Sequence, residues 1–332
     1  MKQSIKISIE NVDATKIKAD VLTLKYAQER FGLDAFVYQR LLVAGVKESE
    51  MSPKPGEFSI VSSSYEIAAG KVLFLGTPRL RYLGYTEIRN LGRAILITLT
   101  KIISDIKSVI VTMHGVGYGL DEAESFESQI AGFIDAIKTG EVPETLECII
   151  FAERNVRRVQ RIKKILEILL PNGLIDFDKN RNIKNVTPDT SEKLRSVGHT
   201  SNSKKHVFVA MPFREEMEDL YDYGISSAVR EAGFLCERAD LSSFTGDVMQ
   251  WVRERIRSAS FVIADLSDSN PNVYLEVGYA WGSGVPTILL ASETEKLKFD
   301  VRGQRCIVYK RIKDIEEKLR KEIKELIKIK QE

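Results

Sequence analysis

Ile5, Ile7 and Ile9 stand at every second position between polar neighbours, the period of a half-exposed strand. Residues 20–26 are mostly apolar and read as a more buried strand. The spacing turns helical over 33–44, and strand-like runs follow at 58–62 and 71–76. A helix over 87–103, a strand over 108–113, a helix over 122–138 and a strand over 146–151 come next. An amphipathic helix over 156–170 is stopped by Pro171. This alternation predicts a layered α/β domain over 1–171.

Residues 172–205 break the pattern. They are polar and charged, carry Pro188 and show no sustained period, so a linker is expected, with a short helix near 191–197. Regularity returns with a buried strand over 206–212, a helix over 216–232 and a strand at 234–236. A helix over 247–258, a strand over 261–266, a helix from Pro271 to about Gly282, and strands over 286–290 and 305–309 follow. The last helix puts Ile312, Ile315, Leu319, Ile323 and Leu326 on one stripe, which suits core first and a dimer contact second. The expected fold class is α/β with two domains. A macro-like layered domain over 1–171 precedes a small doubly wound parallel sheet over 206–332.

Composition narrows the partners. The 332-residue length suits two domains. Forty-nine basic against 47 acidic residues leave a net charge of +2, so no general nucleic-acid partner is expected. Arg154, Arg157, Arg158, Arg161, Lys163 and Lys164 crowd one helix, where a solvated face is favoured over a nucleic-acid patch. Cys148, Cys236 and Cys306 lack metal-ligand spacing and sit in apolar runs, as buried thiols in a reducing cytoplasm would. The start, Met1-Lys2-Gln3-Ser4-Ile5-Lys6, has no apolar signal region, and no run is long enough to span a membrane. A cytoplasmic protein without a membrane partner is expected, and a homo-oligomer is the expected assembly.

The first candidate site is His114-Gly115-Val116-Gly117-Tyr118-Gly119. Glycines between a strand and a helix let backbone amides approach an anion such as a phosphate, although plain turns also use them. His114 is expected as a hydrogen-bonded edge residue rather than a catalyst. Val12-Asp13-Ala14-Thr15, Ala19-Asp20-Val21 and this glycine loop together resemble macro domains, over about residues 1–170. The resemblance implies nucleotide binding at Asp13, Gly115, Gly117, Tyr118 and Gly119, with the domain acting as a sensor or scaffold. Leu24-Lys25-Tyr26-Ala27 stands where macro domains carry an asparagine pair.

The second candidate is the stretch from Ala264 to Ala280. A buried strand ends at Asp265, and Pro271 and Asn272 suit the first positions of a helix. Singly, these features are ordinary turn and cap chemistry. Together, Asp240, Asp265, Asn270 and Glu276 are expected to converge on a crevice at the strand ends, with Phe213 as a wall. Acidic and amide groups suit a hydroxyl-rich ligand such as a ribose, and Arg214 and Arg302 could serve a phosphate. Glu276 is expected to stay ionised under the helix dipole, with the raised pKa falling on Asp265.

Val209-Ala210-Met211-Pro212-Phe213, Arg238-Ala239-Asp240, Ala264-Asp265-Leu266-Ser267, the run from Asn270 to Ala280, and Phe299-Asp300-Val301-Arg302-Gly303 resemble the nucleoside 2-deoxyribosyltransferase-like family, which is akin to TIR domains. The likeness spans about residues 205–310. It implies that Glu276 attacks C1′ of a nucleoside or stabilises the oxocarbenium ion, and that Asp265 holds the sugar or assists the leaving base. It also implies a substrate lining of Met211, Phe213, Asp240, Asn270, Asn272, Tyr279 and Arg302. Asn270 and Asn272 stand where the transferases show an aspartate followed by glycine. That departure favours relatives of unassigned substrate, some of them in anti-phage defence, that consume NAD or nucleotides.

The expected function is an N-glycosidase acting on a nucleoside, nucleotide or NAD. No metal or cofactor is called for, because a fixed carboxylate can offset the oxocarbenium charge. The alternative is a non-catalytic module that binds a nucleotide signal in the same crevice. A two-metal phosphatase using Asp265 and Asp268 is set aside, since two aspartates on one loop do not build such a site.

Overall fold

The computed structural model describes residues 3–103, 105–212, 214–239, 247–293, 297–298, 301 and 303–329. The chain divides into two compact units: Met1–Gly115 with Glu122–Asn202, and Val116–Asp121 with Ser203–Glu332. Both are α/β.

The first unit is built on a seven-stranded sheet. Its strands are β1 (Gln3–Asn11), β2 (Val21–Tyr26), β3 (Phe58–Ser62), β4 (Lys71–Gly76), β5 (Ser108–Val111), β6 (Cys148–Glu153) and β7 (Leu174–Phe177), in the order β3-β4-β2-β5-β6-β1-β7. The inner strands are parallel, and the two edge strands, β3 and β7, pair antiparallel. Side-chain alternation separates two cores. Leu22, Leu24, Val72 and Phe74 pack with Val37 and Leu41 of α1 (Gly32–Val43). Val21, Leu73 and Leu75 turn to the other face. There they meet α2 (Tyr85–Ile102), α3 (Glu122–Lys138) and α4 (Val156–Leu169). The α2 and α3 backbones touch at Gly92 and Gly132, where a Cβ would lie 2.5 and 2.1 Å from a carbonyl oxygen of the facing helix.

The expected linker is not a linker. Residues 174–177 form β7, and Ile175 and Phe177 enter the same core as β1. Thr187 caps α5 (Pro188–Ser196), with Pro188 at its first position, and Leu194 and Val197 are buried. The buried Arg89 guanidinium anchors this segment. It forms two bonds to Asp135, at 2.6 and 2.8 Å, and donates to the carbonyls of Leu194, Arg195 and Val197 at the end of α5. A strand of four residues interrupted by Asp176 is too short to show a period, which hid it.

The second unit carries the parallel strands β8 (His206–Ala210), β9 (Leu235–Glu237), β10 (Phe261–Asp265), β11 (Thr287–Ala291) and β12 (Cys306–Val308), ordered β12-β11-β10-β8-β9. The expected helix over 216–232 is α6 (Glu215–Asp219), a π-helical stretch Leu220–Ser226 and α7 (Ser227–Glu231). Further on lie α8 (Asp247–Ser258), α9 (Pro271–Gly282) and a last helix, Ile312–Ile329. Val207, Val209, Phe261, Ile263, Ile288 and Leu290 pack with Leu220, Ile225 and Val229 on one face. Ile315, Leu319 and Ile323 join them, so the apolar stripe of the last helix is core. The alternate residues point to the opposite face, where α9 lies against β8, β10 and β11. Among the described residues no helix is long and apolar enough to cross a membrane.

Replacing Arg89 by methionine should destabilise the protein by about 3–5 kcal/mol, because Asp135 and three carbonyls lose their donor. Urea unfolding measures this. A loss below about 1 kcal/mol would show that residues 172–205 contribute no more than an exposed connection does.

Candidate active site

The strand order of the second unit reverses between β8 and β10. The connection from β8 leads outward to β9, and the chain then returns to the other side of β8 to lay down β10. Loops leaving such a point diverge, and in open α/β sheets ligands bind beyond the carboxyl ends of the strands at such a point. Ala210 and Ala264 are register partners at these ends, and both are fully buried. Alternation turns both methyl groups toward the α9 face, where small side chains leave room.

α9 brings the chemistry to this point. The Asn270 side chain accepts from the Asn272 amide at 2.9 Å and caps the helix, and Pro271 follows at the first position. Val273, Glu276, Val277 and Ala280 form the buried stripe. Glu276 is 6% exposed and makes no hydrogen bond or ion pair with the described residues. Burial raises its pKa to about 8, so at neutral pH Glu276 is a carboxylic acid. The expected ionised state does not hold. Glu276 is the sixth residue of α9, past the first turn where the dipole acts, and desolvation wins.

Asp265 has a different environment. Its side chain shares the face of Phe261 and Ile263, away from α9. Its Oδ1 accepts from the Ser267 amide at 3.0 Å and its Oδ2 from the Tyr309 hydroxyl at 2.8 Å. The Ser267 hydroxyl lies 3.0 Å from the Tyr309 oxygen and accepts from the Ser292 amide at 2.8 Å. This network ties the ends of β10, β11 and β12 together. Burial raises the pKa of Asp265, and the bonds from Tyr309 and Ser267 oppose the rise. The two carboxyls expected in one crevice are therefore directed to different surroundings.

Other expected lining residues are placed as follows. Met211 is buried in the core with Val209 and Leu220. Asn272 is exposed in the first turn of α9. Tyr279 lies roughly 13 Å along α9 from its cap, at 1.5 Å per residue, and its hydroxyl accepts from Arg257 of α8. That is the end of the helix remote from the crevice. Phe213, Asp240 and Arg302 lie outside the described residues. Sequence reasoning missed Tyr309 and Ser267, because nothing local marks a hydroxyl that closes a network 44 residues away.

The residues expected to form the nucleotide site of the first domain fall in both units. Asp13 caps a 3-10 turn, accepting from the Thr15 amide and hydroxyl. The Lys25 ammonium is buried 2.6 Å from Asp34, at the position expected for the asparagine pair. His114 is buried, and desolvation, aided by the Lys25 charge, lowers its pKa to about 3, so the ring is neutral. Gly115 has a positive φ of 83° in the first unit, whereas Val116–Asp121 belongs to the second. Within the second unit Gly117 and Tyr118 form bridges with Ala239. Gly119, at φ +101°, lies against the Trp251 ring, where a Cβ would come within 2.3 Å. Packing therefore accounts for Gly119 without a ligand.

The basic helix α4 is partly paired. Arg158 and Arg161 both bond to the buried Glu122, and Arg158 also to Glu153. A groove of about 330 Å³ lies between β3, β4 and α2, lined by Phe58, Leu75, Pro78, Leu91 and Ala94 among others. It is largely apolar, and its Glu87 is committed to the Gly84 amide at the start of α2. Among the described residues no group of three or more His, Cys, Asp or Glu could hold a metal.

The raised pKa of Glu276 has a consequence for stability. Between the unfolded value near 4.5 and the folded value of about 8, the native state binds one more proton than the unfolded chain. Stability therefore falls as pH rises through that window, by about 1.4 kcal/mol per pH unit at most. Glu276→Gln should remove this dependence, so its melting-temperature advantage over wild type should widen from pH 5 to pH 8 and then level. A constant offset between the two proteins across that range would contradict the buried acid.

No family model matches the sequence, and no curated protein matches it. Solved structures show low likeness. The CMP N-glycosidase BcmB of Clostridium botulinum is 24% identical, with 35% of this chain and 97% of that chain covered at a TM-score of 0.30. The macrodomain of Trypanosoma brucei in complex with ADP is 17% identical, over 49% and 68%, at 0.39. The Oceanobacillus iheyensis macrodomain is 15% identical, over 51% and 98%, at 0.38. The α/β class of both units rests on the strand orders described above.

Proposed function

We propose that the second unit is an N-glycosidase that cleaves the bond between a ribosyl group and its base. One observation carries this reading: a buried carboxyl, Glu276, without a partner among the described residues, on the buried stripe of α9, the helix that lies against β8 and β10. Among the described residues nothing gives that group a counter-charge, and it keeps its proton. A substrate whose C1′ gains positive charge supplies the missing partner. Glu276 then releases its proton to solvent. The C1′–N bond breaks with its electron pair leaving on the base, and the carboxylate stabilises the oxocarbenium ion or bonds to C1′. Water adds at C1′ while its proton goes to the departing base. The Asp265–Tyr309–Ser267 network holds the neighbouring strand ends in place.

A binding module is the second reading. A neutral Glu276 can donate a hydrogen bond, which suits a ligand carbonyl in a site that performs no chemistry.

Incubation with nucleosides, nucleotides and NAD, with detection of free base, separates the two. Glu276→Gln should lower base release about 100-fold or more while the fold persists. As the group must act ionised, kcat/KM should rise with pH and level above about 8. A profile that falls through pH 8 would make Glu276 a general acid instead. A Gln variant that releases base at the wild-type rate would remove it from the mechanism.

A further inference from the structure

We infer that the open edge of β3 and the groove beside it form a docking site for an extended segment of a partner protein, with an aromatic side chain in the groove and basic side chains flanking it. The two edges of the seven-stranded sheet are finished differently. At β7 the edge is closed. The Lys184 amide donates to the Asp176 carbonyl at 2.8 Å, Ile183 bridges Phe177, and the Asn185 side chain accepts from the Asp176 amide at 3.0 Å. β3 has no such cover. The Glu57 carbonyl accepts from the Gly76 amide and the Ser63 amide donates to Gly70, so alternate residues carry the ladder to β4. Phe58, Ile60 and Ser62 therefore turn their N–H and C=O groups outward, and among the described residues no hydrogen bond reaches those groups. The strand Phe-Ser-Ile-Val-Ser also lacks the charges and proline that commonly blunt an exposed edge. The 3-10 turn Glu48–Met51 packs near β3 without bonding to its backbone, and Met51 enters the core on the face of Val61, opposite Phe58.

The groove supplies the side-chain half of such a site. Phe58 and Leu75 of the sheet and Leu91 and Ala94 of α2 give it apolar walls, and its volume of about 330 Å³ suits one large side chain or small ligand. Thr98 of α2 also lines it, is 6% exposed, and makes no hydrogen bond with the described residues. A tyrosine in the groove offers its ring to the walls and its hydroxyl to Thr98. Charge selects the flanking residues. Glu57 and Glu87 line the groove, and among the described residues no lysine or arginine does. Each carboxylate gives one oxygen to a backbone amide, of Lys54 and Gly84 respectively, which leaves the second oxygen for a cation. A second copy pairing β3 with β3 would bring these carboxylates toward their equals. A strand with lysines on the face of its aromatic residue meets them with opposite charge. Strand addition draws affinity from main-chain bonds along the edge and selectivity from the groove.

The test is amide NMR on the full chain with the synthetic peptide acetyl-Thr-Lys-Thr-Tyr-Thr-Lys-Thr-amide, whose alternation puts the tyrosine and both lysines on one face. Saturable shifts should appear at Phe58, Ile60 and Ser62 and at Leu91 and Ala94 across the groove. Alanine in place of the tyrosine should weaken binding on the order of 10-fold or more, the value of burying an aromatic side chain. Glutamate in place of both lysines should weaken it further. Thr98→Val should weaken binding of the tyrosine peptide and leave its phenylalanine counterpart unchanged. Ser62→Pro removes one outward donor and spares the ladder to β4, and it should weaken binding on the order of 10-fold. Ala94→Phe fills the groove and should do the same with the edge intact; if it does not fold, Ser62→Pro decides alone. Shifts confined to other parts of the chain, no saturable shift at millimolar peptide, or equal binding of the tyrosine and alanine peptides would overturn the site. So would an affinity that Ser62→Pro leaves unchanged. Sedimentation equilibrium separates the competing occupant. A mass twice that of the chain, halved by Ser62→Pro, would give the edge to a second copy and overturn the partner segment.

Discussion

Removing a carboxyl group from water is costly, and this chain meets that cost with cations at most places where it arises. Asp34 has Lys25, Asp121 has Arg230, Glu122 has Arg158 and Arg161, Glu127 has Lys193, Glu218 has Arg238, and Glu237 has Arg255. Each pair turns a desolvation penalty into a directional contact that positions two elements. Glu276 is buried to a similar degree and has no such partner among the described residues. The fold tolerates it by keeping it protonated. A neutral acid is cheaper to bury than an anion, but it is less stable there than a hydrocarbon of the same size.

Its position follows from parallel-sheet geometry. Every strand of the second unit ends on the same edge, so the Asp265 network and the start of α9 lie within a few residues of each other in the chain. Asn270 and Pro271 fix where α9 begins, and one and a half turns later Glu276 falls on the buried stripe. The Tyr309 hydroxyl and the Ser267 amide use the capacity of Asp265, and the Ser267 hydroxyl, set against Tyr309 and the Ser292 amide, joins three strand ends. Two carboxyls eleven residues apart thus have opposite roles. One is consumed by hydrogen bonds and joins strand ends, and the other has no partner among the described residues.

Much of this was legible in the chain. The strand-end aspartate, the Asn-Pro-Asn cap and the apolar runs placed β10, α9 and β11 within one or two residues, because parallel strands buried on both faces leave uninterrupted apolar stretches. The apolar stripe of the last helix was equally clear. What escaped were features without local periodicity. β7 is four residues long and gains its place from pairing with β1. The segment after it is ordered by Arg89, more than a hundred residues away in the chain. The protonation of Glu276 was also beyond reach, since the dipole argument is local and the desolvation that overrides it is set by the tertiary fold.

The glycine loop shows why a motif and a site differ. Three glycines between a strand and a helix satisfy the sequence pattern of an anion cradle, and their positive φ angles satisfy its backbone requirement. A cradle also needs amides that face a ligand, and here Gly117 and Tyr118 are bridged to Ala239 while Gly119 makes space for an indole. The same test, applied to Lys25, Asp34 and His114, finds a buried ion pair and a ring kept neutral by its burial and by the Lys25 charge. Applied to the second unit, it finds a carboxyl that does not. Residue types nominate a site, but unmet electrostatic demand distinguishes it from packing, and Glu276 carries such a demand on the helix that lies against β8 and β10.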